Sequence, residues 1–291
     1  MFNINSYAKI NLSLEILGKF SDGYHQIKSI MQTINICDSI EFLPSNEIKI
    51  NIYGHDIPLE NNLVYKAIVD LKKIYSIKQG IDIRINKNIP IASGFGGGSS
   101  NAANTILALN KIWGLNLTIE EMVGIAMKIG SDVPYFLYQG TALVEGMGEI
   151  VTPLDDVILP EILIITPNKK IIDNKTKKMF NYLTNKNHST GYITDNIIEK
   201  INTKSIVSNI DIYNVFHDIS FESYSFMKVL FSNLNRIGIT DINICGAGPS
   251  VFTLIDNKEI LNIITENKYF KKFKIFLVKS HKSSSVIEYD N

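Results

Sequence analysis

The chain has 291 residues, 45% hydrophobic and 20% charged, enough for a large core and, by length alone, for two domains. Lysine plus arginine and aspartate plus glutamate both total 29, so no net field draws the chain to nucleic acid or to an anionic membrane. Two distant cysteines, Cys37 and Cys245, lack a C-x-x-C partner, which excludes a disulfide framework and a structural zinc site and points to a reducing cytoplasm. No apolar run approaches the ~20 residues that span a bilayer, so a soluble protein is expected.

Ile10, Leu12, Leu14 and Ile16 alternate with Asn11, Ser13 and Glu15, the period-two pattern of a half-buried strand, with Lys9 and Asn11 at its start. The turn Ser21-Asp22-Gly23 ends it, and Tyr24-His25 precede a second strand-like region reaching Phe42. An aromatic beside an imidazole suits the holding of a flat ring; on these two residues alone, a tyrosine packed on the sheet and a solvated histidine is the readier reading. Residues 47–53 alternate again. Asn62 caps a predicted helix whose Val64, Ile68, Leu71 and Tyr75 share one face, and Ile81, Ile83 and Ile85 mark the next strand.

That strand leads into Pro90-Ile91-Ala92-Ser93-Gly94-Phe95-Gly96-Gly97-Gly98-Ser99-Ser100-Asn101-Ala102-Ala103. The stripe Ala102, Ile106, Leu109 and Trp113 predicts a helix from Ala102, so the glycines stand where a loop enters a helix. First-turn N–H groups without intrahelical acceptors, together with the positive end of the helix dipole, attract anions. Glycine lets backbone approach a phosphate closely, and Ser99 and Ser100 add hydroxyls. The run lacks the Lys-Ser/Thr pair of a P-loop and does not fit G-x-G-x-x-G. A glycine cluster alone serves a tight turn as readily as a phosphate.

Thr118 and Glu121 have capping-box spacing before Met122, Ile125, Ala126 and Ile129, and Gly130 stops that helix. Ser131-Asp132-Val133-Pro134 starts a further short element, in which Asp132 fits a helix cap as well as a functional acid. Residues 141–152 read as a strand pair around the glycine turn Glu145-Gly146-Met147-Gly148-Glu149. A composition shift at 155–160 places a domain boundary, giving an N-terminal domain 1–156 and a C-terminal domain 157–291. The second carries a strand at 162–165, helices near 176–183, 195–201, 226–234 and 258–266, and strands at 241–244, 251–255 and 274–278. Cys245-Gly246-Ala247-Gly248-Pro249-Ser250 joins two of those strands. Alternating strands and helices imply α/β or α+β sandwiches.

Three ordered segments resemble the GHMP small-molecule kinases: Tyr7-Ala8-Lys9-Ile10-Asn11-Leu12, the run from Pro90 to Ala103, and the segment from Cys245 to Phe252. Asp22-Gly23-Tyr24-His25, the glycine-serine run and Gly130-Ser131-Asp132-Val133-Pro134-Tyr135-Phe136 are similar to the branch acting on 4-diphosphocytidyl-2-C-methyl-D-erythritol in non-mevalonate isoprenoid synthesis. The resemblance spans nearly the whole chain and is weakest between Lys169 and Asp211. It implies an α+β fold, with an N-terminal domain like ribosomal protein S5 domain 2 and a ferredoxin-like C-terminal α/β sandwich. It also implies transfer of the ATP γ-phosphoryl to a 2-hydroxyl in a cleft between the domains.

By that resemblance Asp132 and Lys9 are the catalytic pair, and Asn11, Tyr24, His25, Asp132 and Thr176 bind the cytidine diphosphate-linked substrate. Pro90, Ala92, Ser93, Gly94, Phe95, Gly96, Gly97, Gly98, Ser99 and Ser100 bind ATP, taken with Mg²⁺; no protein ligand to the metal is assigned, and the spacing of Glu145 gives it no support. The family usually has glycine where Ala92 and Ser93 stand, so a positive φ at either would be strained. It also often carries two acids in the segment matching Asn214-Val215-Phe216-His217, and both are absent. Competing readings are a GHMP kinase for another alcohol and an inert ligand sensor of the same fold. The Tyr24-His25 pair speaks against the first and retention of Lys9 and Asp132 against the second. Nucleic-acid binding lacks a basic stripe with interleaved aromatics.

Overall fold

Mixed apolar and polar residues at the N-terminus form the long strand β1 (Phe2–Lys19), which returns as β2 (His25–Ser45) after a turn in which Asp22 Oδ1 accepts from Tyr24 N at 3.0 Å. The computed structural model describes residues 2–55, 57–168, 175–257 and 259–282, with the side chains of Lys175 and Thr176 outside that set. β3 (Ile48–Tyr53), α1 (Leu63–Ile74), β4 (Gly80–Asn86), α2 (Gly97–Ile112), α3 (Ile119–Ile129), α4 (Val133–Tyr138), β5 (Thr141–Gly146) and β6 (Ile150–Pro153) follow. Then come β7 (Glu161–Pro167), α5 (Lys175–Asn181), α6 (Tyr192–Asn202), β8 (Tyr213–Asn214), α7 (His217–Ser223), α8 (Met227–Arg236), β9 (Asn243–Ile244), β10 (Val251–Ile255), α9 (Glu259–Glu266) and β11 (Phe273–Val278).

The first sheet runs β3-β4-β2-β1-β8. With 21 residues, β2 pairs with β1 along its length, with β4 through Ser39 to Ser45, and with β5 through Ile27 to Gln32; β6 continues from β5. The second sheet is antiparallel in the order β11-β7-β10-β9, with helices crossing between β7 and β9 and between β10 and β11. That is the split-βαβ arrangement of a ferredoxin-like sandwich. The sheets part between Pro153 and Glu161, but β8 returns to the first sheet and lies parallel to β1 at Ser13 and Leu14.

Period-two alternation predicts one wet face for β1, yet residues 9–16 are all buried. Both faces of the strand are covered, and a one-residue irregularity between Asn11 and Ser13 turns the side-chain parity over. Before it, Ala8, Ile10 and Leu12 pack with Ile162, Ile164 and Phe252 of the second sheet. After it, Leu14 and Ile16 join the larger cluster that contains Ala102, Ile106 and Leu109 of α2. The polar residues divide likewise. Lys9 and Asn11 face a cleft, whereas Ser13 and Glu15 lie beneath α6. Glu15 Oε2 accepts from Thr194 N at 2.8 Å and Thr194 Oγ1 at 2.6 Å, placing a carboxylate at the positive end of that helix.

α2 begins at Gly97, five residues before the apolar stripe that predicts it. Glycine and serine are poor helix formers, so periodicity is silent there. Tertiary bonds hold this turn instead: Ser100 and Ser6 hydroxyls lie 2.7 Å apart, and Asn104 Nδ2 donates to Ser6 Oγ at 3.3 Å. The capping box of Thr118 and Glu121 is formed at α3. Periodicity also misses α7, where His217, Phe221 and α8's Phe231 pack edge to face with ring centroids 4.9–5.5 Å apart.

Candidate active site

One cleft of about 1760 Å³ gathers residues far apart in sequence: Lys9, Asn11, Tyr24, His25, Pro90, Ala92, Ser93, Gly94, Gly96, Gly97, Gly98, Ser99 and Asp132 all line it. Two predicted nucleotide residues present no side chain there. The Phe95 ring is fully buried in the core, although its carbonyl accepts from Lys9 N at 3.0 Å, and the Ser100 hydroxyl is spent on Ser6. Thr176 falls on α5, but its side chain lies outside the described residues.

Asp132 occupies the cap position of α4, yet its carboxylate makes no capping bond. It sits instead 3.6 Å from Lys9 Nζ, with the lysine side chain 4% exposed and the aspartate 36% exposed. The lysine is fixed by its own strand, since Nζ donates to Asn11 Oδ1 at 2.8 Å. Asn11 Nδ2 in turn donates to Ser29 Oγ at 2.9 Å, and that hydroxyl donates to Ser13 O at 2.5 Å. A buried ammonium held by Asn11 of its own strand, beside a half-open carboxylate, is a rigid cation next to an accessible base.

The glycine loop packs against the glycine turn of the second sheet. Gly94 has φ +96, and a Cβ built on it would lie 1.9 Å from Cys245 O. Asn214 Nδ2 donates to Ile244 O at 3.0 Å and Gly246 O at 2.9 Å, while Tyr224 Oη donates to Ala247 O at 2.7 Å. α2 thus starts at the cleft wall, where the N–H groups of its first turn lack intrahelical acceptors. Ala92 has φ +53, whereas Ser93 is not in the left-handed region and its Oγ donates to Pro90 O at 2.5 Å. Ala92→Val is therefore expected to lower stability by about 1–2 kcal/mol, and Ala92→Gly to preserve or raise it. Thermal melting of the two variants checks this.

At the other end, the half-buried His25 ring lies 5.3 Å from that of Phe180, which meets Phe216 edge to face at 4.9 Å. Tyr24 is 64% exposed and borders the same cleft. Burial, then the charges of Lys19 and His188, hold the His25 pKa below its ordinary 6.5. The imidazole is therefore neutral at physiological pH, with one donor and one acceptor. Among the described residues, five lysines, Lys9, Lys19, Lys87, Lys128 and Lys177, line the cleft against two carboxylates, Asp22 and Asp132. A chain of zero net charge thus concentrates positive charge where it faces a ligand.

Sequence reasoning misses Lys87, Phe180 and Phe216. Lys87 is ion-paired with the fully buried Asp38, whose Oδ1 also accepts from Asn88 N and Ile89 N at 2.8 Å. Its place between a strand and the glycine run was a usable signal. For Phe180 and Phe216, in sequence rich in lysine and asparagine, there was none.

Residues 62–140 match the family model described as the GHMP kinases N terminal domain. The 4-diphosphocytidyl-2-C-methyl-D-erythritol kinase of Thermoanaerobacter pseudethanolicus is 37% identical over 259 residues, covering 89% of each chain. The kinase of the same name from Dehalococcoides mccartyi is 33% identical over 280 residues, 96% of this chain and 98% of its own. Among solved structures, a 4-(cytidine 5'-diphospho)-2C-methyl-D-erythritol kinase superposes with a TM-score of 0.74 at 20% identity, covering 96% of this chain and 100% of the other. The Methanococcus jannaschii mevalonate kinase gives 0.66 at 18% identity, covering 96% and 98%, which establishes the shared fold.

Proposed function

The chain belongs to the 4-diphosphocytidyl-2-C-methyl-D-erythritol kinase family of GHMP kinases, and from that premise we propose which of its residues carry the reaction. The reaction is ATP-dependent phosphorylation of the 2-hydroxyl of 4-diphosphocytidyl-2-C-methyl-D-erythritol in the non-mevalonate pathway. Asp132 orients that hydroxyl and accepts its proton. Lys9, fixed by Asn11, pairs with the carboxylate and offsets the negative charge that spreads over the phosphoryl oxygens during transfer. The observation that carries this reading is the Asp132 carboxylate, unused as a helix cap and held 3.6 Å from a buried lysine in the cleft.

ATP phosphates fit the N-terminus of α2, where the glycine loop leaves the backbone uncovered by side chains and Ser99 and Lys87 border the space. Mg²⁺ suits this setting as an ion bound mainly by nucleotide phosphates and water, since it gives up its own waters reluctantly. It would supply charge neutralisation on those phosphates, with the Ser99 hydroxyl within the same wall. We also infer a division into domains 1–156 and 157–291, supported by the gap between the sheets at Pro153 and Glu161.

The cytosine end fits the pocket of Tyr24, His25 and Phe180, where rings offer a stacking face and a neutral imidazole offers polar edges. A cationic imidazole loses its acceptor, and the lowered pKa keeps that form away until the solution is acidic. The KM for the cytidyl substrate is therefore expected to stay level at and above pH 6.5 and to rise at lower pH, and His25→Gln to flatten the rise. Steady-state kinetics across pH tests this. The assignment as a whole is tested by coupled measurement of ADP release with Mg-ATP and the cytidyl substrate, beside mevalonate and homoserine. Turnover with the first alone is expected; turnover only with another alcohol would overturn the substrate.

A further inference from the structure

The glycine turn between β5 and β6, whose Met147 lines the cleft, lies close against the segment that carries Asp132. Gly148 is buried with φ +115, and a Cβ built on it would lie 2.4 Å from Ser131 O, 3.1 Å from Ser131 C and 3.3 Å from Ser131 Cβ. The backbone of the turn is thus seated directly on the residue before the catalytic acid. The turn is held in shape from within: Glu149 Oε2 accepts from Met147 N at 2.6 Å, and Gly148 N donates to Glu145 O at 3.1 Å. Its second glycine makes that bond possible, since a Cβ on Gly146 would lie 2.4 Å from Glu149 Oε1. On the other side, Val133 N donates to Gly130 O at 3.0 Å, so the loop bearing Asp132 is a tight turn caught between α3 and α4.

We propose that residues 146–149 are a positioning device for the phosphoryl-transfer reaction, in which Gly148 sets the backbone of Ser131 and Glu149 locks the turn, together fixing where the Asp132 carboxylate stands relative to Lys9. The device acts through Asp132 and so rests on the reading of that residue as the base. Asp132 makes no capping bond to α4, so its carboxylate is placed by the ion pair with Lys9 and by the backbone on either side of it. Pressure on Ser131 is therefore transmitted to the reacting group, while the nucleotide wall at α2 is built from a separate segment. Small errors of placement are costly to a proximity-driven transfer.

The test uses the full-length enzyme with Gly148→Ala, Glu149→Ala and Glu149→Gln, each alone and combined with Asp132→Asn. Gly148→Ala is expected to lower kcat at least tenfold while the KM for ATP and the affinity for ADP stay within twofold. Glu149→Ala is expected to act in the same direction, with Glu149→Gln restoring turnover because its amide oxygen still accepts from Met147 N. In the Asp132→Asn background, Gly148→Ala should lower the residual single-turnover rate by less than twofold, since a positioning residue has nothing left to position. A folded Gly148→Ala enzyme with wild-type kcat would overturn the proposal, as would an equal loss in both backgrounds, which marks a merely structural effect. Should Gly148→Ala fail to fold, the Glu149 pair decides alone, with wild-type kcat for Glu149→Ala counting against the device. Wild-type turnover of Asp132→Asn is a separate failure, that of the base assignment.

Discussion

Asp132→Asn is expected to lower kcat by about three orders of magnitude, within the range for loss of a positioned general base, and to leave the KM of both substrates within a few-fold. Asparagine keeps the size of the side chain and can still touch the hydroxyl, but it takes no proton. Because the carboxylate is 36% exposed and makes no capping bond, little of the fold depends on it, and the thermal midpoint should hardly move. Lys9→Met probes the other partner and should differ in kind. It removes a buried cation whose hydrogen bond satisfies Asn11 Oδ1, so it is expected to cost about 1–3 kcal/mol of stability in addition to a large loss in kcat. Steady-state kinetics beside thermal melting separates the two signatures. Near wild-type turnover of Asp132→Asn would remove the central claim about the site, whatever the fate of Lys9.

Which parts of this arrangement were legible in the sequence follows from the range of the forces involved. Local signals served well: the Asn62 cap, the Thr118 and Glu121 capping box and the apolar stripe of α2 are all present as read, because each depends on residues three or four apart. The loop-to-helix junction was legible for the same reason, although the helix starts earlier, on glycines and serines tied down by Ser6. The parity change in β1 was not legible. It depends on a register irregularity against β2, and the same alternating residues would look identical with or without it. The pairing of Lys9 with Asp132 crosses more than a hundred residues, so no spacing rule announces it; only the resemblance carried it. Phe180 escaped because a lone phenylalanine has no pattern until the fold supplies a partner, here His25.

The joint between the two glycine segments supplies the second large effect. Gly94→Ala is expected to destabilise the enzyme by about 3 kcal/mol, the upper range for an overpacked site, and to lower the melting midpoint by about 5 °C. A Cβ 1.9 Å from Cys245 O meets a main-chain atom that cannot rotate aside, and the positive φ of +96 adds strain on an alanine. The carbonyl itself cannot retreat cheaply, since the turn that bears it is fastened by Asn214 and Tyr224 from other elements. The two sheets also share an apolar cluster, in which Ile10 and Leu12 meet Ile164 and Phe252, so separation of the segments would open a core rather than a hinge. The glycine loop must therefore yield, and with it the wall where α2 begins, raising the KM for ATP more than that for the cytidyl substrate. Gly54→Ala provides the contrast: its φ of +75 carries similar backbone strain, but a Cβ there meets nothing within 4 Å, so a smaller loss and an unchanged KM are expected. Equal destabilisation of the two variants would show that backbone strain, not the close approach to Cys245, is what makes glycine necessary at position 94.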